Sequence, residues 1–432
     1  LWAGACLRKE GFFFEKKKKE TFTKFCRHML QKGRVGAACN GQKFFGSFFQ
    51  KRTTSFLVTL LEKSLPSRDY IGAAEFARER ETIFAREWVV VCRAAELEDW
   101  QVFDIAGESI LLLRDKAGSL HAHYNVCRHR GARLCAPKGQ PRTAGRAELP
   151  PAVQPNGLIR CPYHAWTYAP DGALIGAPFL TDGAAFARAD FALYPVGCAQ
   201  WGGFVFVNLT PASAMPLTEQ LGAIPERIRN YPLADLRVGH RIAYEVDANW
   251  KIICENYNEC YHCGPVHPEL CALVPAFRAA GGAGLPWEDG IAHRAGAYTF
   301  SHSGTSPRPP FPGLNASERV NHKGELAYPN LFLSLACDHV AAFILHPRGP
   351  SRTDIECLFL FAAEEVVRPG FDHTDTTDFW NTVNQQDWAI CERVQQGIAS
   401  RMHAHGYYAP MEDANLDMRR YVESRKGAGP PT

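Results

Sequence analysis

Two short clamps, each pairing one cysteine with one histidine, constrain this chain more than any other feature. They are Cys127-Arg128-His129 and Cys161-Pro162-Tyr163-His164. Thiolate and neutral imidazole are strong metal donors, and each clamp sits between short β-like runs. A fold that brings the two loops together builds a four-ligand metal centre on a β scaffold. One reading is structural zinc, which accepts two Cys and two His. A zinc finger, however, wants a pair of Cys followed by a pair of His on a ββα unit. Here each clamp is mixed, and Gly131, Cys135 and Trp166 flank the clamps in a patterned way, which four unrelated residues would not require.

The second reading is a [2Fe–2S] centre of the Rieske type. Cys127 and Cys161 would hold one iron, His129 and His164 the other. Exchanging two thiolates for neutral imidazoles makes such a cluster less negative and raises its potential. That suits a relay that accepts an electron and passes it on.

A second constellation lies at Glu255-Asn-Tyr-Asn-Glu-Cys-Tyr-His-Cys-Gly-Pro-Val-His267. Read as a helix over Asn249–His262, it places Trp250, Ile253, Cys254, Tyr257 and Tyr261 on one apolar face. Glu255, Glu259 and His262, at i, i+4 and i+7, share a polar face. An unbroken helix would point His262 and His267 roughly 140° apart. Gly264-Pro265 is expected to break the helix and let His267 swing back. A third donor comes from the stripe Phe379, Val383, Ile390, Val394 and Ile398, on which Asp387 falls. A carboxylate on a buried helix face is costly unless it is paired or binds a metal. His262, His267 and Asp387 then make the two-histidine, one-carboxylate triad of a mononuclear Fe(II) site with open positions for O₂; an ordinary partnered acid is the alternative for Asp387. Cys260 and Cys263 straddle His262 and read as packing cysteines, with a regulatory thiol as the other reading.

Around these sites the chain reads as α+β. A helix over 68–88 precedes strands near Trp88–Cys92, Gln101–Ile105, Ser109–Arg114, Leu120–Asn125 and Gly203–Leu209, a small antiparallel β domain. After Pro211, helices at Thr218–Tyr231 and Asn249–His262 mix with strands at Ile242–Val246, Ala297–Phe300, Leu331–Leu335, Ala341–Leu345 and Glu356–Ala362. A long helix at 375–400 closes a second domain with a central antiparallel sheet. The expected division is 1–64, 65–212 and 213–432. Residues 1–64 differ in texture: they carry 14 Lys/Arg against 4 Asp/Glu and ten of the 27 Phe, and read as a disordered or non-native extension, or weakly as an organelle leader. Residues 65–432 carry 34 basic against 41 acidic side chains, which argues against a nucleic-acid-binding core. No run reaches the ~18 apolar residues of a membrane span. Fifteen cysteines in so long a chain fit metal ligation in a reducing compartment better than a disulfide framework, so a cytoplasmic location is expected.

The segments Cys-Arg-His-Arg-Gly-Ala-Arg-Leu-Cys (127–135) and Cys-Pro-Tyr-His-Ala-Trp (161–166) resemble the Rieske motifs of ring-hydroxylating oxygenase α subunits. Asn249-Trp250-Lys251 through His267, with Asp387, resembles their catalytic domain, so the resemblance covers about 65–432. One departure is the 31 residues between His129 and Cys161, about twice the family spacing, with the excess in the Pro/Ala/Gly-rich stretch Ala136–Pro155. The resemblance implies that Glu259 bridges the Rieske histidine of one subunit to the iron histidine of its neighbour. Many ring dioxygenases carry Asp there. Glu in this context looks more like the group acting on choline, carnitine and glycine betaine.

By the same resemblance, the chain is expected to be an oxygenase that uses O₂ and electrons from a separate NAD(P)H-dependent flavin/iron–sulfur reductase. It would be a homotrimer, without nucleic-acid or membrane partners, hydroxylating a quaternary ammonium compound. Aromatic-ring oxygenation is the runner-up. A non-catalytic Rieske electron carrier ranks lower, since a carrier has no use for His262, His267 and a buried Asp387. Tyr298, Phe300 and Phe343 are candidates for a cation-binding aromatic lining.

Overall fold

The strand-rich texture after Trp88 becomes two antiparallel six-stranded sheets. The computed structural model describes residues 61–137, 150–183 and 185–427. The expectation for 1–64 falls, up to residue 60, outside these residues, and so does most of the Pro/Ala/Gly-rich stretch. The first sheet takes β2 (Val89–Arg93), β3 (Trp100–Ile105), β4 (Glu108–Arg114), β5 (Leu120–Tyr124), β9 (Pro195–Trp201) and β10 (Phe204–Asn208), in the order β2-β10-β9-β5-β4-β3. A three-stranded sheet, β6 (Ile159–Arg160), β7 (Thr167–Tyr168) and β8 (Leu174–Gly176), accompanies it. Its core gathers Trp100, Leu111, Leu113, Leu134, Ile159, Trp166 and Tyr168 around Cys127 and Cys161.

The second sheet runs β11 (Arg237–Val246), β16 (Arg352–Phe361), β15 (Val340–Gly349), β14 (Leu331–Leu335), β13 (Asn321–Ala327) and β12 (Ile291–Ala292). The central strands are apolar without alternation, Leu-Phe-Leu-Ser-Leu in β14 for example, because both faces are covered. Helices α3 (Leu217–Leu221) and α4 (Ile224–Arg227) replace the single helix expected over Thr218–Tyr231, since Gly222 leaves helical geometry at φ +55°. Ala297–Phe300 is irregular chain running into a bend rather than a strand. Four further helices frame the candidate sites: α5 (Trp250–Asn258), α6 (Cys263–Val266), α7 (Pro268–Leu273) and the 25-residue α9 (Thr374–Ile398), with α8 (Ala363–Val366) preceding α9. The chain ends in α10 (Asp413–Lys426).

The N-terminal segment corrects two expectations. Glu62–Ser64, assigned to the extension, belong to strand β1 (Glu62–Pro66), which pairs with β17 (His405–Tyr408). The helix expected over 68–88 is α1 (Arg68–Ile71) and α2 (Ala73–Glu79), followed by a wider π turn at Arg80–Phe84. The sequence groups this segment with the β domain, yet its buried polar contacts reach mostly to the second. Asp69 pairs with Lys426 and Glu87 with Arg425. Glu79 is wholly buried and takes Lys251 Nζ at 2.7 Å and Trp250 Nε1 at 2.9 Å. The polar partners of these ends come from residues hundreds of positions away, which no local pattern reveals. The two sheets are joined by Asn330, also buried, whose side chain takes both backbone groups of Val90 at 3.0 and 2.9 Å.

The Glu79–Lys251 pair fixes the start of α5, the helix that leads into the second constellation. Replacing Lys251 by Met strands a buried carboxylate and should cost about 3–5 kcal/mol of unfolding free energy. Adding Glu79→Gln should restore most of it. Denaturant unfolding of both variants reads the difference, and an unchanged single variant would show that the pair does not hold α5.

Candidate metal centres

The two clamps fold as twin loops. Cys127 N donates to the Ala132 carbonyl and Cys161 N to the Trp166 carbonyl, each at 2.8 Å. Gly131 N and Ala165 N return to the carbonyls of Cys127 and Cys161 at 3.0 and 3.1 Å. Gly131 and Ala165 both adopt left-handed backbone, φ +68° and +57°, which Gly takes freely and Ala at a cost of about 1–2 kcal/mol. The repetition places one buried sulfur and one exposed imidazole on each loop. The rings of His129 and His164 lie 4.7 Å apart, and Trp166 stacks on His129 at 4.9 Å.

This donor set fits a two-iron cluster. Cys127 and Cys161 face one another, and burial together with the neighbouring Cys127 sulfur raises the Cys161 thiol. The amides of Tyr163 and His164 point at Cys161, and the Tyr168 hydroxyl sits 3.2 Å from Cys127 Sγ. Two sulfurs lie inward and two imidazoles at the surface, as an inner and an outer iron require. Tyr168 carries no signal in the sequence pattern. Cys135 instead exchanges backbone hydrogen bonds with the Asn125 side chain, 2.9 and 2.7 Å.

The second constellation departs from the expected single helix. Helix α5 stops at Asn258, and Glu259 is extended at φ −138°. The break therefore lies upstream of Gly264-Pro265, which sit inside α6. The polar face proposed for Glu255, Glu259 and His262 does not form. Glu255 turns into the interior and accepts from Tyr70 Oη at 2.6 Å and Tyr408 Oη at 2.7 Å.

His262, His267 and Asp387 do come together, with one donor atom from each lying within 4.8 Å of the others. Asp387 Oδ1 is 2.9 Å from His267 Nε2 and 3.3 Å from His262 Nε2. Behind each ring a second group fixes the tautomer. His262 Nδ1 donates to Glu259 Oε1 at 2.6 Å, and His267 Nδ1 to Gln386 Oε1 at 2.8 Å. Gln386 is itself held by Glu269, 2.9 Å away. Both Nε2 lone pairs thus converge beside one carboxylate. Asn256 Nδ2 lies 3.3 Å from His262 Nε2.

The electrostatics ask for a cation. Burial disfavours charge on Asp387, but the two imidazoles outweigh it and hold the carboxyl below its ordinary range. Burial also opposes charge on His262, yet contacts with Asp387, Cys263 and Glu259 push it up to about 12. A divalent ion would supply that positive charge in place of a proton. Two imidazoles and a carboxylate with space beside them suit non-haem Fe(II). Gln386, Glu269 and Asn256 were missed from the sequence; only the adjacency of Gln386 to Asp387 could have signalled one of them.

Two substitutions test this architecture. Asp387→Ala should strip the mononuclear iron and spare the cluster spectrum; unchanged iron per chain would place the third donor elsewhere. Glu255 is raised from 4.5 to about 7 because burial outweighs the two tyrosine hydrogen bonds. Its stabilisation is complete below about 4.5 and is lost as pH rises through about 7. Glu255→Gln should flatten that decline, measured by denaturant unfolding across the window; parallel profiles would assign the slope to other groups.

Comparisons with known proteins agree with this layout. Residues 87–189 match the Rieske [2Fe-2S] domain, and residues 233–427 match the ring hydroxylating alpha subunit (catalytic domain). A carnitine monooxygenase oxygenase subunit of Acinetobacter baumannii is 34% identical over 216 residues, 49% of this chain and 54% of that protein. The chain thus matches about half the length of the carnitine monooxygenase relatives. A glycine betaine monooxygenase oxygenase subunit of Chromohalobacter salexigens is 28% identical over 383 residues, 81% of this chain and 82% of that one. Among solved structures, the quaternary ammonium Rieske monooxygenase CntA in complex with L-carnitine superposes with a TM-score of 0.63 at 25% identity, covering 85% of this chain and 96% of its own. A Rhodococcus naphthalene 1,2-dioxygenase shares the fold, with a TM-score of 0.61 at 20% identity over 85% of this chain and 95% of its own. With two sheets carrying two metal-ready donor sets in the family's order, the chain belongs to the Rieske-type ring-hydroxylating oxygenase α subunits.

Proposed function

We propose that this chain is the oxygenase component of a monooxygenase acting on a quaternary or N-methylated ammonium compound. The observation that carries the reading is the pair of Nε2 atoms converging on Asp387 Oδ1, with Glu259 behind His262. When bound, the cluster stores and passes single electrons and the ferrous ion activates O₂ for insertion into a C–H bond.

Each residue then has a defined task. Cys127 and Cys161 hold the inner iron of the cluster; His129 and His164 hold the outer one, at the surface where a reductase reaches it. His262, His267 and Asp387 hold the mononuclear iron. Gln386 and Glu269 keep His267 oriented, and Glu259 keeps His262 oriented. Glu259 Oε1 is spent on His262, and Oε2 accepts from the amides of Tyr261 and His262. A carboxylate anchored this firmly is held in place for a further partner that docks against the turn, its side chain being 9% exposed in a single protomer. In a homotrimer that partner is a Rieske histidine of the adjacent protomer, which gives electrons a hydrogen-bonded route between chains. A reductase fed by NAD(P)H is the electron source, and the cytoplasm is the compartment. Among the described residues no helix is long and apolar enough to cross a membrane.

The substrate class rests on the relatives' named activities and is in keeping with an aromatic cluster packed between α5, the second sheet and α9. Tyr257 of α5 stacks on Phe332 at 4.5 Å and stands 6.4 Å from Phe343. Phe343 meets Trp380 of α9 at 6.0 Å, and Trp380 meets Phe300 at 5.1 Å. Aromatic faces attract quaternary ammonium by their quadrupole. Tyr298, considered with them from sequence, instead donates to the Ser306 carbonyl at 2.7 Å. Hydroxylation of a carbon bonded to nitrogen gives a product that breaks its C–N bond. A methyl group leaves as formaldehyde; a longer arm leaves as an aldehyde with release of the amine.

A panel of betaines, carnitine, choline and arenes offered to the protein with a reductase and NADH tests the reading. Aldehyde and amine are expected from the ammonium compounds; cis-diol from an arene with none from the amines would replace it by ring oxygenation. Glu259→Gln should keep both metals and reduce turnover by about 10- to 100-fold, in line with losses on removing outer-shell partners. Full turnover in that variant would remove the relay.

A further inference from the structure

Cys260 and Cys263 are the cysteines of the C-x-x-C that encloses His262, and both are buried free thiols, 7% and 3% exposed. Their geometry is that of a closed turn. Cys263 N donates to the Cys260 carbonyl at 3.2 Å, with His262 at φ −77° and ψ −20° between them. A four-residue turn closed by an i to i+3 hydrogen bond holds its end Cα atoms under about 7 Å. A disulfide needs about 4.4–6.8 Å. The third nearby thiol, Cys271, is directed to the Cys263 carbonyl at 3.2 Å.

The turn also touches the metal site. Cys263 Sγ is 3.9 Å from His262 Nε2, the nitrogen that faces Asp387. The His262 side chain is 16% exposed and Tyr261 50%, so the turn lies near the surface, with its two thiols just beneath. His267 and Asp387 stand on separate elements. A covalent bond across the turn would therefore fix the segment that carries one ligand relative to the two carried elsewhere.

We propose that Cys260 and Cys263 form a dithiol–disulfide couple, oxidised by a hydroperoxide, that controls how the turn presents His262. One thiol sulfur attacks the peroxide O–O bond and its proton goes to the departing hydroxide, giving a sulfenic acid and water. The second thiol displaces the hydroxyl as water, so two thiols and one H₂O₂ yield one disulfide and two H₂O. An oxygenase that reduces O₂ without coupling to substrate generates such a peroxide at its own metal. In this respect the inference rests on the oxygenase reading; the bond itself does not.

The full-length protein with its metals is treated with hydrogen peroxide or, to avoid iron–peroxide side reactions, with the thiol oxidant diamide. Two thiols per chain should be lost, the peptide containing residues 260–263 should weigh two hydrogens less, and dithiothreitol should reverse both. Release of mononuclear iron to a ferrous chelator should be roughly tenfold faster in the oxidised protein, the scale of a disturbed outer shell. Cys263→Ser should abolish the thiol loss and the oxidant sensitivity of iron release. Both thiols alkylated after oxidation, a bond to Cys271 instead, or a disulfide that leaves iron release unchanged would each overturn the proposal. A protein that forms the bond yet never takes up mononuclear iron would overturn the metal reading while leaving the couple in place.

Discussion

A carboxylate placed on the buried side of a long helix is the constraint on which the second domain depends. Asp387 lies on α9 among Phe379, Val383 and Cys391, all buried. Its charge would be costly there without partners. His262 and His267 supply them, but they arrive on different pieces of chain, one in a turn and one at the start of α7. The surrounding fold can be read as the machinery that brings these pieces to Asp387. Glu79 and Lys251 anchor the start of α5, Glu255 ties its far half to Tyr70 and Tyr408, and Glu259 then caps the turn.

The first domain solves a different problem with the same economy. Two loops of nearly identical hydrogen bonding present two donors each, so one local solution is used twice. Sulfurs face the apolar core and imidazoles face solvent. That polarity follows from where each loop emerges: Cys127 and Cys161 follow strands whose neighbours Leu111, Ile159 and Tyr168 are wholly buried. It leaves His129 and His164 at the protein edge, where a cluster held as proposed would lie a short distance from an electron donor.

Legibility in the sequence followed the range of the interactions. The clamps are local, and their residues could be named from spacing alone. The strands Leu331–Leu335 and Glu356–Ala362 and the long helix at 375–400 were legible for the same reason, being dense in apolar or periodic residues. Asp387 was legible because it interrupts an apolar stripe. The end of α5 was not. Periodicity carries on through Tyr261, but the paired demands of Glu259 on His262 and of Cys260 on the Cys263 amide pull the chain out of helical geometry. Glu255 was misread for the same reason: it shares a helical face with Glu259 only if the helix continues. Its true partners, Tyr70 and Tyr408, lie 185 and 153 residues away. Gln386 and Glu269 escaped notice because a polar residue gains meaning only from what it faces.

The placement of the two donor sets bears on how they communicate. Among the described residues no hydrogen bond within the chain connects Glu259 to His129 or His164. Each set is complete in its own domain, and the imidazoles of the first are exposed. A mononuclear centre that needs electrons must then receive them through groups at the surface of its own turn. Glu259, hydrogen-bonded to His262, is the group to which the proposal assigns that task. The proposed protomer-to-protomer route uses it. Its two oxygens already serve His262 and the turn amides, and with its side chain only 9% exposed a partner's histidine must come in to the turn rather than Glu259 reach out to it.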